Sequence, residues 1–293
     1  MNEKSYLQFS FMKGNEIGEL ISRTHALITK NEAELLFALA SQANPRGVVV
    51  EIGSYVGGSA IFLAKGSKAG KKNKVYTIDP HKDSMPIEKI GREVFPKNSL
   101  PFFKENLKKE NVEDIVVPII STSQQAAENW DKPISLLWID GNHDYEYVKL
   151  DFLLWEKHLL PGGVLALHDT HDSKNEIEVF GVGINIGKLP GPARVVKENL
   201  VNSKRFERIK VVDLITFARK KKNADLFELT KNKIIIFLIK QQFLVKLLDS
   251  LSKTRDKAKE KYNFTLGTAG LFLNKHLPKI YKILKKIKDK LLF

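Results

Sequence analysis

VVVEIGSYVGGSAIFLA, residues 48 to 64, is the stretch of this 293-residue chain that decides its fold. An apolar run ending around Glu51 leads through a glycine-rich bend into a second apolar run with helical spacing. Gly53 and Gly57 permit a tight turn and a close backbone approach. Ser59 begins a helix whose first amides point at the bend. Because ligands of open parallel sheets bind at such strand ends, the stretch predicts a strand, a ligand-binding bend and a helix.

A second predicted strand, KVYTIDPH at residues 74 to 81, follows at the distance expected of one strand–helix–strand unit and ends in Asp79. A carboxylate at this place in nucleotide-binding folds accepts hydrogen bonds from ribose hydroxyls. Asp-Pro pairs also open ordinary turns. The position of Asp79 relative to the glycine bend favours the ribose interpretation.

Strand and helix signals alternate from residue 31 to residue 168, which predicts an α/β fold with a doubly wound, Rossmann-like sheet. The segment RFERIKVVDLITFAR, residues 205 to 219, contains two strand-like runs without a helix between them and predicts a terminal antiparallel pair. Glycines at positions 181, 183 and 187 predict a loop, because no strand signal precedes them. We therefore predict one domain over residues 1 to 220 and a helical extension over residues 221 to 293.

The positive charge is concentrated in that extension. Residues 221 to 293 contain 18 Lys and Arg against 6 Asp and Glu, and the whole chain carries +14. Residues 278 to 293 show the pattern of a basic amphipathic helix, which either lies on an anionic membrane surface or packs on the protein's own core. The nearly neutral remainder argues against a nucleic-acid partner, which requires basic surface around the active site.

Cysteine is absent, which excludes disulfides, thiolate metal sites and a cysteine nucleophile. The first residues mix charges into a sequence without an apolar signal region, and no segment reaches the length of a membrane span. We therefore expect a cytoplasmic protein, with peripheral association at the inner face of the membrane if the basic helix binds lipid.

The block LLWIDGNHDYEYVKLDFLLWEKHLLPGGVLALHDT, residues 136 to 170, contains two acidic strand ends. Asp140 closes the predicted fourth strand and Asp169 the fifth, so both carboxylates are expected at one edge of the sheet, where they can hold a divalent cation. His143 follows Asp140 by three residues and can take the proton from a hydroxyl bound at the same metal. A turn histidine bonded to backbone is the alternative.

Two resemblances follow from these residues. The bend E-x-G-x-x-x-G resembles motif I of the class I S-adenosylmethionine-dependent methyltransferases. The block at residues 136 to 170 is similar to the metal-dependent sugar O-methyltransferase and cephalosporin-hydroxylase-like branch of that class (methyltransferase 24-like), with coverage from about residue 27 to residue 218. The resemblance implies a seven-stranded sheet, His143 as the catalytic base, Mg²⁺ or Mn²⁺ on Asp140 and Asp169, and S-adenosylmethionine held by Glu51, Gly53, Gly57, Ser59, Asp79, Ser123 and Asp140.

Two positions leave alternatives open. His168 stands where the sugar enzymes have an acidic residue, and imidazole suits Mn²⁺, Fe²⁺ or Zn²⁺ better than Mg²⁺. Either His168 is a ligand of a different metal, or it lies behind the ligands, or the metal site is vestigial. Ser123 either contacts adenine or, like Thr122, caps the helix that follows.

The leading hypothesis is an S-adenosylmethionine-dependent, metal-assisted O-methyltransferase acting on a sugar or glycan hydroxyl, with a small-molecule or lipid-linked glycan as acceptor. A nucleic-acid methyltransferase is disfavoured, because the fourth strand ends in Ile-Asp-Gly-Asn-His rather than Asn/Asp-Pro-Pro-Tyr. A noncatalytic glycan- or membrane-binding protein that keeps the fold is the second alternative. A homo-oligomer is compatible with every one of these hypotheses.

Overall fold

The computed structural model describes residues 14–82, 98–170, 177–179, 182–184, 190–201 and 203–222. The chain divides into two compact units, Met1–Ile236 and Phe237–Phe293, and every described residue belongs to the first. The predicted amphipathic helix at residues 278 to 293 lies outside the described residues, and the predicted boundary after residue 220 stays a prediction. Among the helices that are described, none combines the length and the apolar character needed to cross a membrane.

The described residues form seven α-helices and nine strands. The helices are α1 (Gly14–Thr24), α2 (Lys30–Ser41), α3 (Gly58–Ala69), α4 (Leu100–Lys109), α5 (Ser123–Glu128), α6 (Tyr145–Trp155) and α7 (Pro190–Asn199). The strands are β1 (Val48–Ile52), β2 (Val75–Ile78), β3 (Val116–Ile119), β4 (Ile134–Ile139), β5 (Leu159–Leu167), β6 (Ile177–Val179), β7 (Val182–Ile184), β8 (Phe206–Val212) and β9 (Ile215–Lys220). A short 3-10 turn at Glu156–His158 joins α6 to β5.

Seven strands form one sheet in the order β3-β2-β1-β4-β5-β9-β8. Strands β1 to β5 are mutually parallel, whereas β9 pairs antiparallel with both β5 and β8. The predicted α/β class, the doubly wound sheet and the terminal antiparallel pair are confirmed. The strand order reverses between β1 and β4, and a crevice forms outside the carboxyl ends of the strands at such a reversal.

The central strands β1 and β4 are buried on both faces of the sheet, which explains why they are almost continuously apolar. All six residues of β4 are buried, among them Trp138 with no exposed surface. Helix α2 begins with a capping box: Thr29 Oγ1 accepts a hydrogen bond from the amide of Glu32, and the Glu32 carboxylate accepts one from the amide of Thr29. The capping box fixes the start of α2 at the edge of the core.

Three local features differ from the sequence-based expectation. Strand β5 begins at Leu159, so the Pro-Gly-Gly triplet at residues 161 to 163 lies within the strand rather than before it. A bulge absorbs the triplet, because Ile134 pairs with Leu159 while Leu136 already pairs with Val164. Helix α1 was not predicted from its polar sequence, and the short antiparallel pair of β6 and β7 occupies a segment where a loop was expected.

Candidate functional site

The bend between β1 and α3 is held in a conformation that requires glycine. Gly53 and Gly57 have φ of +86° and +90°, in the left-handed region. A Cβ on Gly53 would overlap the carbonyl oxygen of Asp140, the residue that follows β4. The amide of Asp140 in turn donates to the carbonyl of Ile52 at 2.8 Å. The glycine bend and the end of β4 are therefore in backbone contact, on the two sides of the reversal in strand order.

Asp79, after β2, binds the bend with its side chain. One carboxylate oxygen accepts hydrogen bonds from the amides of Ser54 and Tyr55 at 3.0 and 2.8 Å, and the other accepts one from the amide of His81 at 2.7 Å. Tyr55 also adopts a positive φ, of 45°, so these bonds hold a conformation that a non-glycine residue rarely takes. Sequence reasoning placed Asp79 correctly at the bend, but did not foresee that its carboxylate organises the bend itself.

Glu51 lies below the bend and has no exposed surface. Ser59 Oγ, in the first turn of α3, donates to Glu51 Oε1 at 2.5 Å, while Glu51 Oε2 has no hydrogen-bond partner. Burial raises the pKa of Glu51 well above its ordinary value, against the hydrogen bond from Ser59. The two predicted cofactor residues Glu51 and Ser59 are thus brought together, and a neutral Glu51 carboxyl can donate a hydrogen bond as well as accept one.

Ser123, in the first turn of α5, is buried and donates its hydroxyl proton to Asp151 Oδ1 on α6. The helix cap is Thr122, whose side chain accepts from the amide of Gln125 at 3.3 Å. Burial raises the pKa of Asp151 to about 7, although the hydrogen bond from Ser123 opposes the shift. Asp151 was not singled out from the sequence, because an acidic residue inside the apolar helix pattern of α6 gives no signal of its own.

Asp140 and Asp169 occupy the ends of neighbouring strands, since Ile139 of β4 pairs with Leu167 of β5. His143 faces both carboxylates, with its Nε2 3.2 Å from Asp169 Oδ2 and 3.7 Å from Asp140 Oδ1. One ligand atom from each of these three residues lies within 4.8 Å of the other two. We refer to Asp140, His143 and Asp169 as the rim triad.

The rim triad contains the donor atoms that a divalent cation requires. Asp169 is 6% exposed, and its Oδ1 has no hydrogen-bond partner. His143 Nε2 likewise makes no hydrogen bond of acceptable geometry. Two carboxylates and one imidazole suit Mn²⁺, Fe²⁺, Co²⁺ or Zn²⁺ at least as well as Mg²⁺. The residues present therefore fit a metal ion.

His168 lies directly behind the rim triad and is 5% exposed. Its Nδ1 is 3.2 Å from Asp140 Oδ1 and 3.4 Å from Asp169 Oδ2, and its Nε2 is 3.3 Å from Oε2 of Glu32 in α2. Both ring nitrogens thus face carboxylates, and the prediction that His168 ligates a metal stays a prediction. Glu32 was missed as a site residue, because the Thr29-x-x-Glu32 pattern indicates only a helix cap.

The charges of the rim triad and of His168 stabilise one another. Burial lowers the pKa of His168, but the carboxylates of Asp140, Asp169 and Glu32 outweigh it and raise that pKa well above its ordinary value. Burial likewise opposes ionisation of Asp140, yet His168 and His143 hold its pKa at about 2. For His143 the carboxylates of Asp140 and Asp169 overcome burial and raise the pKa.

Helix α7 supports the segment that carries His143. A Cβ on Gly191 would overlap the carbonyl oxygen of His143 and lie 2.8 Å from the amide nitrogen of Tyr145. The Arg194 guanidinium lies 3.8 Å above the Tyr145 ring, and the Tyr145 hydroxyl donates to Glu198 at 2.6 Å. This contact between α6 and α7 is tertiary, so no local signal in the sequence predicts it.

Comparisons with known proteins match the part of the chain that contains the glycine bend and the rim triad. A family model described as a methyltransferase domain matches residues 50–170. A curated relative, an uncharacterised protein of Acanthamoeba polyphaga mimivirus, is 28% identical over 123 residues, which cover 42% of this chain and 51% of the relative. The match thus spans about half the length of that relative.

Two solved structures share the fold. The cofactor-bound protein Rv0187 from MTB superposes with a TM-score of 0.50 at 16% identity, covering 71% of this chain and 90% of that protein. The O-methyltransferase NovP superposes with a TM-score of 0.50 at 14% identity, covering 67% of this chain and 82% of NovP. Residues 50–170 therefore resemble a methyltransferase domain, and the described residues share the fold of these two solved structures, including the strand order given above.

Proposed function

We propose that the protein is a metal-assisted O-methyltransferase that moves a methyl group from S-adenosylmethionine to a hydroxyl of a sugar or glycan. The observation that carries the proposal is the convergence of Asp140 and Asp169 with His143 at two neighbouring strand ends, in backbone contact with the glycine bend. A metal-binding triad beside a nucleoside-binding bend favours transfer to an oxygen acceptor over a purely structural use of the fold.

The bend offers a site of the right kind for the cofactor. Gly53 and Gly57 keep the backbone clear of side chains, and the amides at the start of α3 favour the carboxylate of an amino-acid moiety. Asp79 already accepts three amide hydrogen bonds, and a carboxylate has about four acceptor positions, so a ribose hydroxyl can still bind to it. The predicted contacts of Glu51, Ser59 and Ser123 with the cofactor remain part of this proposal.

S-adenosylmethionine would supply an electrophilic methyl group, and a divalent cation held by Asp140 and Asp169 would stabilise negative charge on an acceptor oxygen. The acceptor oxygen forms a bond to the methyl carbon while the carbon–sulfur bond breaks, and its electron pair stays on sulfur. The hydroxyl proton passes to His143, whose side chain is 34% exposed and therefore accessible to an acceptor. Asp140 and Asp169 orient the imidazole during this transfer.

The sugar or glycan acceptor rests on the resemblance of residues 136 to 170 to sugar O-methyltransferases. The proposal has three more specific parts. The acceptor is a lipid-linked glycan, the basic extension binds a membrane surface, and the protein forms a homo-oligomer. A basic amphipathic helix would place the enzyme where lipid-linked glycans occur.

Methyl transfer by the full chain tests the proposal. The protein is incubated with methyl-labelled S-adenosylmethionine and a panel of glycosides and lipid-linked glycans, first with a chelator and then with added Mg²⁺ or Mn²⁺. We expect a labelled glycan whose formation stops with chelator and returns with metal. Binding of S-adenosylmethionine without transfer to any glycan would favour the noncatalytic alternative, and transfer at an undiminished rate in chelator would exclude the metal.

A further inference from the structure

We propose that Glu32, in α2, is the positioning residue of the site: its buried carboxylate orients His168 against Asp140 and Asp169. Glu32 lies outside residues 50–170, the part of the chain that matches the methyltransferase family model. The effect on turnover rests on the proposed function, whereas the positioning of His168 does not. The N-terminal helices would thus complete the site rather than merely cover the sheet.

The Glu32 carboxylate is 1% exposed, and each of its oxygens has a defined partner. Oε1 accepts a hydrogen bond from the amide of Leu214, in the turn between β8 and β9, at 2.9 Å. Oε2 accepts one from the amide of Thr29 at 2.8 Å and lies 3.3 Å from His168 Nε2. The carboxylate is therefore rigidly held before it meets the imidazole.

The His168 ring has carboxylates at both nitrogens, with a hydrogen bond at Nδ1 and an ion-pair contact at Nε2. Its Nδ1 lies near Asp140 and Asp169, its Nε2 lies near Glu32, and the Trp138 ring packs against it with a centroid distance of 5.4 Å. A ring in contact with a carboxylate at only one nitrogen can rotate about its side-chain bonds. With Glu32 at the other nitrogen, the ring is directed at the two rim carboxylates.

The same carboxylate reaches Asp169 by a second route. The Leu214 amide is bound to Glu32, and the Leu214 carbonyl accepts hydrogen bonds from both the amide and the hydroxyl of Thr170 at 3.0 Å. Asp169 has a positive φ of 51°, which a non-glycine residue keeps only where its surroundings hold it. Glu32 thus supports both His168 and the backbone next to Asp169.

A matched control exists at the same junction. Asp213 accepts hydrogen bonds from Thr29 Oγ1 at 2.5 Å and from Asn31 Nδ2 at 3.3 Å, so it also ties the start of α2 to the β8–β9 turn. Glu34 lies on the same helix as Glu32, two residues further on. Asp213→Asn therefore weakens the junction without changing the group that faces His168, and Glu34→Gln controls for the loss of a charge on α2.

The experiment uses ¹⁵N-histidine-labelled full-length protein. In the wild type we expect a slowly exchanging Nε2 proton of His168, assigned by its disappearance in His168→Asn. Glu32→Gln should shift the His168 nitrogen resonances and abolish this protection, whereas Asp213→Asn and Glu34→Gln should leave both unchanged. Glutamine has one acceptor oxygen where the Thr29 amide, the Leu214 amide and His168 need two, so it cannot replace the carboxylate.

The expected kinetic effect of Glu32→Gln is a decrease of at least tenfold in kcat, with KM for S-adenosylmethionine changed less than twofold. The absence of any slowly exchanging histidine Nε2 proton in the wild type would overturn the proposal even if no variant folds, because no assignment is then needed. Equal shifts in Asp213→Asn and Glu32→Gln would also overturn it, since the junction alone would then be responsible. The His168 resonances are measured without any enzymatic turnover. The test of Glu32 therefore remains valid even if the proposed function is wrong.

Discussion

The carbonyl oxygen of Asp140 occupies the space that a side chain on Gly53 would need. The residue that begins the glycine bend and the residue that begins the rim triad are therefore fixed against each other by their backbones. Neither can shift by a few tenths of an ångström without moving the other, because the amide of Asp140 is also bound to Ile52.

Gly53→Ala tests this contact. We expect loss of S-adenosylmethionine binding and destabilisation by more than 1 kcal/mol, since alanine adds both a clash with Asp140 and a strained φ. Calorimetric titration with S-adenosylmethionine and urea unfolding measure the two effects. Gly18→Ala is the matched control: a Cβ at this exposed position in α1 meets nothing within 4 Å, so stability should be equal or higher by about 0.5–1 kcal/mol. Retained affinity in Gly53→Ala would show that the bend does not bind the cofactor.

Replacing the rim carboxylates should abolish metal binding. For Asp140→Asn and Asp169→Asn we expect at least a tenfold lower affinity for Mn²⁺ and a loss of methyl transfer, because each removes one charged oxygen ligand. Electron paramagnetic resonance of free Mn²⁺ measures the affinity without requiring turnover. Asp131→Asn, which alters an 83% exposed carboxylate just before β4, should bind Mn²⁺ like the wild type. Unchanged affinity in both rim variants would refute the metal site.

His143→Ala separates the two roles that the geometry allows for this histidine. If His143 acts as base alone, kcat should fall at least a hundredfold while Mn²⁺ affinity stays within twofold. If it is also a ligand, both quantities fall. His25→Ala, a half-buried histidine between α1 and α2, serves as the control for loss of an imidazole. Full activity in His143→Ala would remove this residue from the mechanism.

Asp151 should make the stability of the domain pH-dependent. Its pKa is about 7 in the folded protein and near the ordinary value of 3.8 in the unfolded chain. Below about pH 4 both states hold the proton; as the pH rises toward 7 only the unfolded state loses it, so the free energy of unfolding falls. Three pKa units correspond to about 4 kcal/mol at most.

Urea unfolding of the wild type and Asp151→Asn at several pH values measures this effect. The free energy of unfolding of the wild type should exceed that of Asp151→Asn by the largest amount at low pH. This difference should disappear by pH 7. Glu128→Gln, an exposed position on the neighbouring α5, should differ from the wild type by a pH-independent amount. A constant difference for Asp151→Asn would mean that its carboxyl titrates normally.

Gly191→Ala tests the support that α7 gives to His143. Alanine would overlap the His143 carbonyl, so we expect the segment to move and kcat to fall by about tenfold or more, while S-adenosylmethionine binding at the glycine bend is retained. An enzyme assay measures kcat, and calorimetric titration measures the affinity for S-adenosylmethionine. Loss of binding with an unchanged kcat would contradict the conclusion that α7 supports the segment that carries His143.

The sheet and the edge at which the site lies could both be predicted from the order of apolar runs along the chain. Apolar runs with terminal acidic residues locate β1, β2, β4 and β5, and parallel strands bring Asp79, Asp140 and Asp169 to one edge whatever the details of packing. The glycine bend could also be predicted from the sequence, because only glycine tolerates its backbone conformation and the close approach of Asp140.

Which groups face one another at that edge depends on packing between segments that are far apart in the sequence. Glu32 is 136 positions before His168 in the sequence and Leu214 is 182 positions after Glu32, yet the three meet at hydrogen-bonding distance. Asp79 binds the bend, and Ser123 binds Asp151, because burial obliges each polar group to find a partner among whatever the fold brings near. The local periodicity of apolar residues predicts the type of each helix or strand. It does not predict which distant residue will form hydrogen bonds with the buried polar groups of that segment.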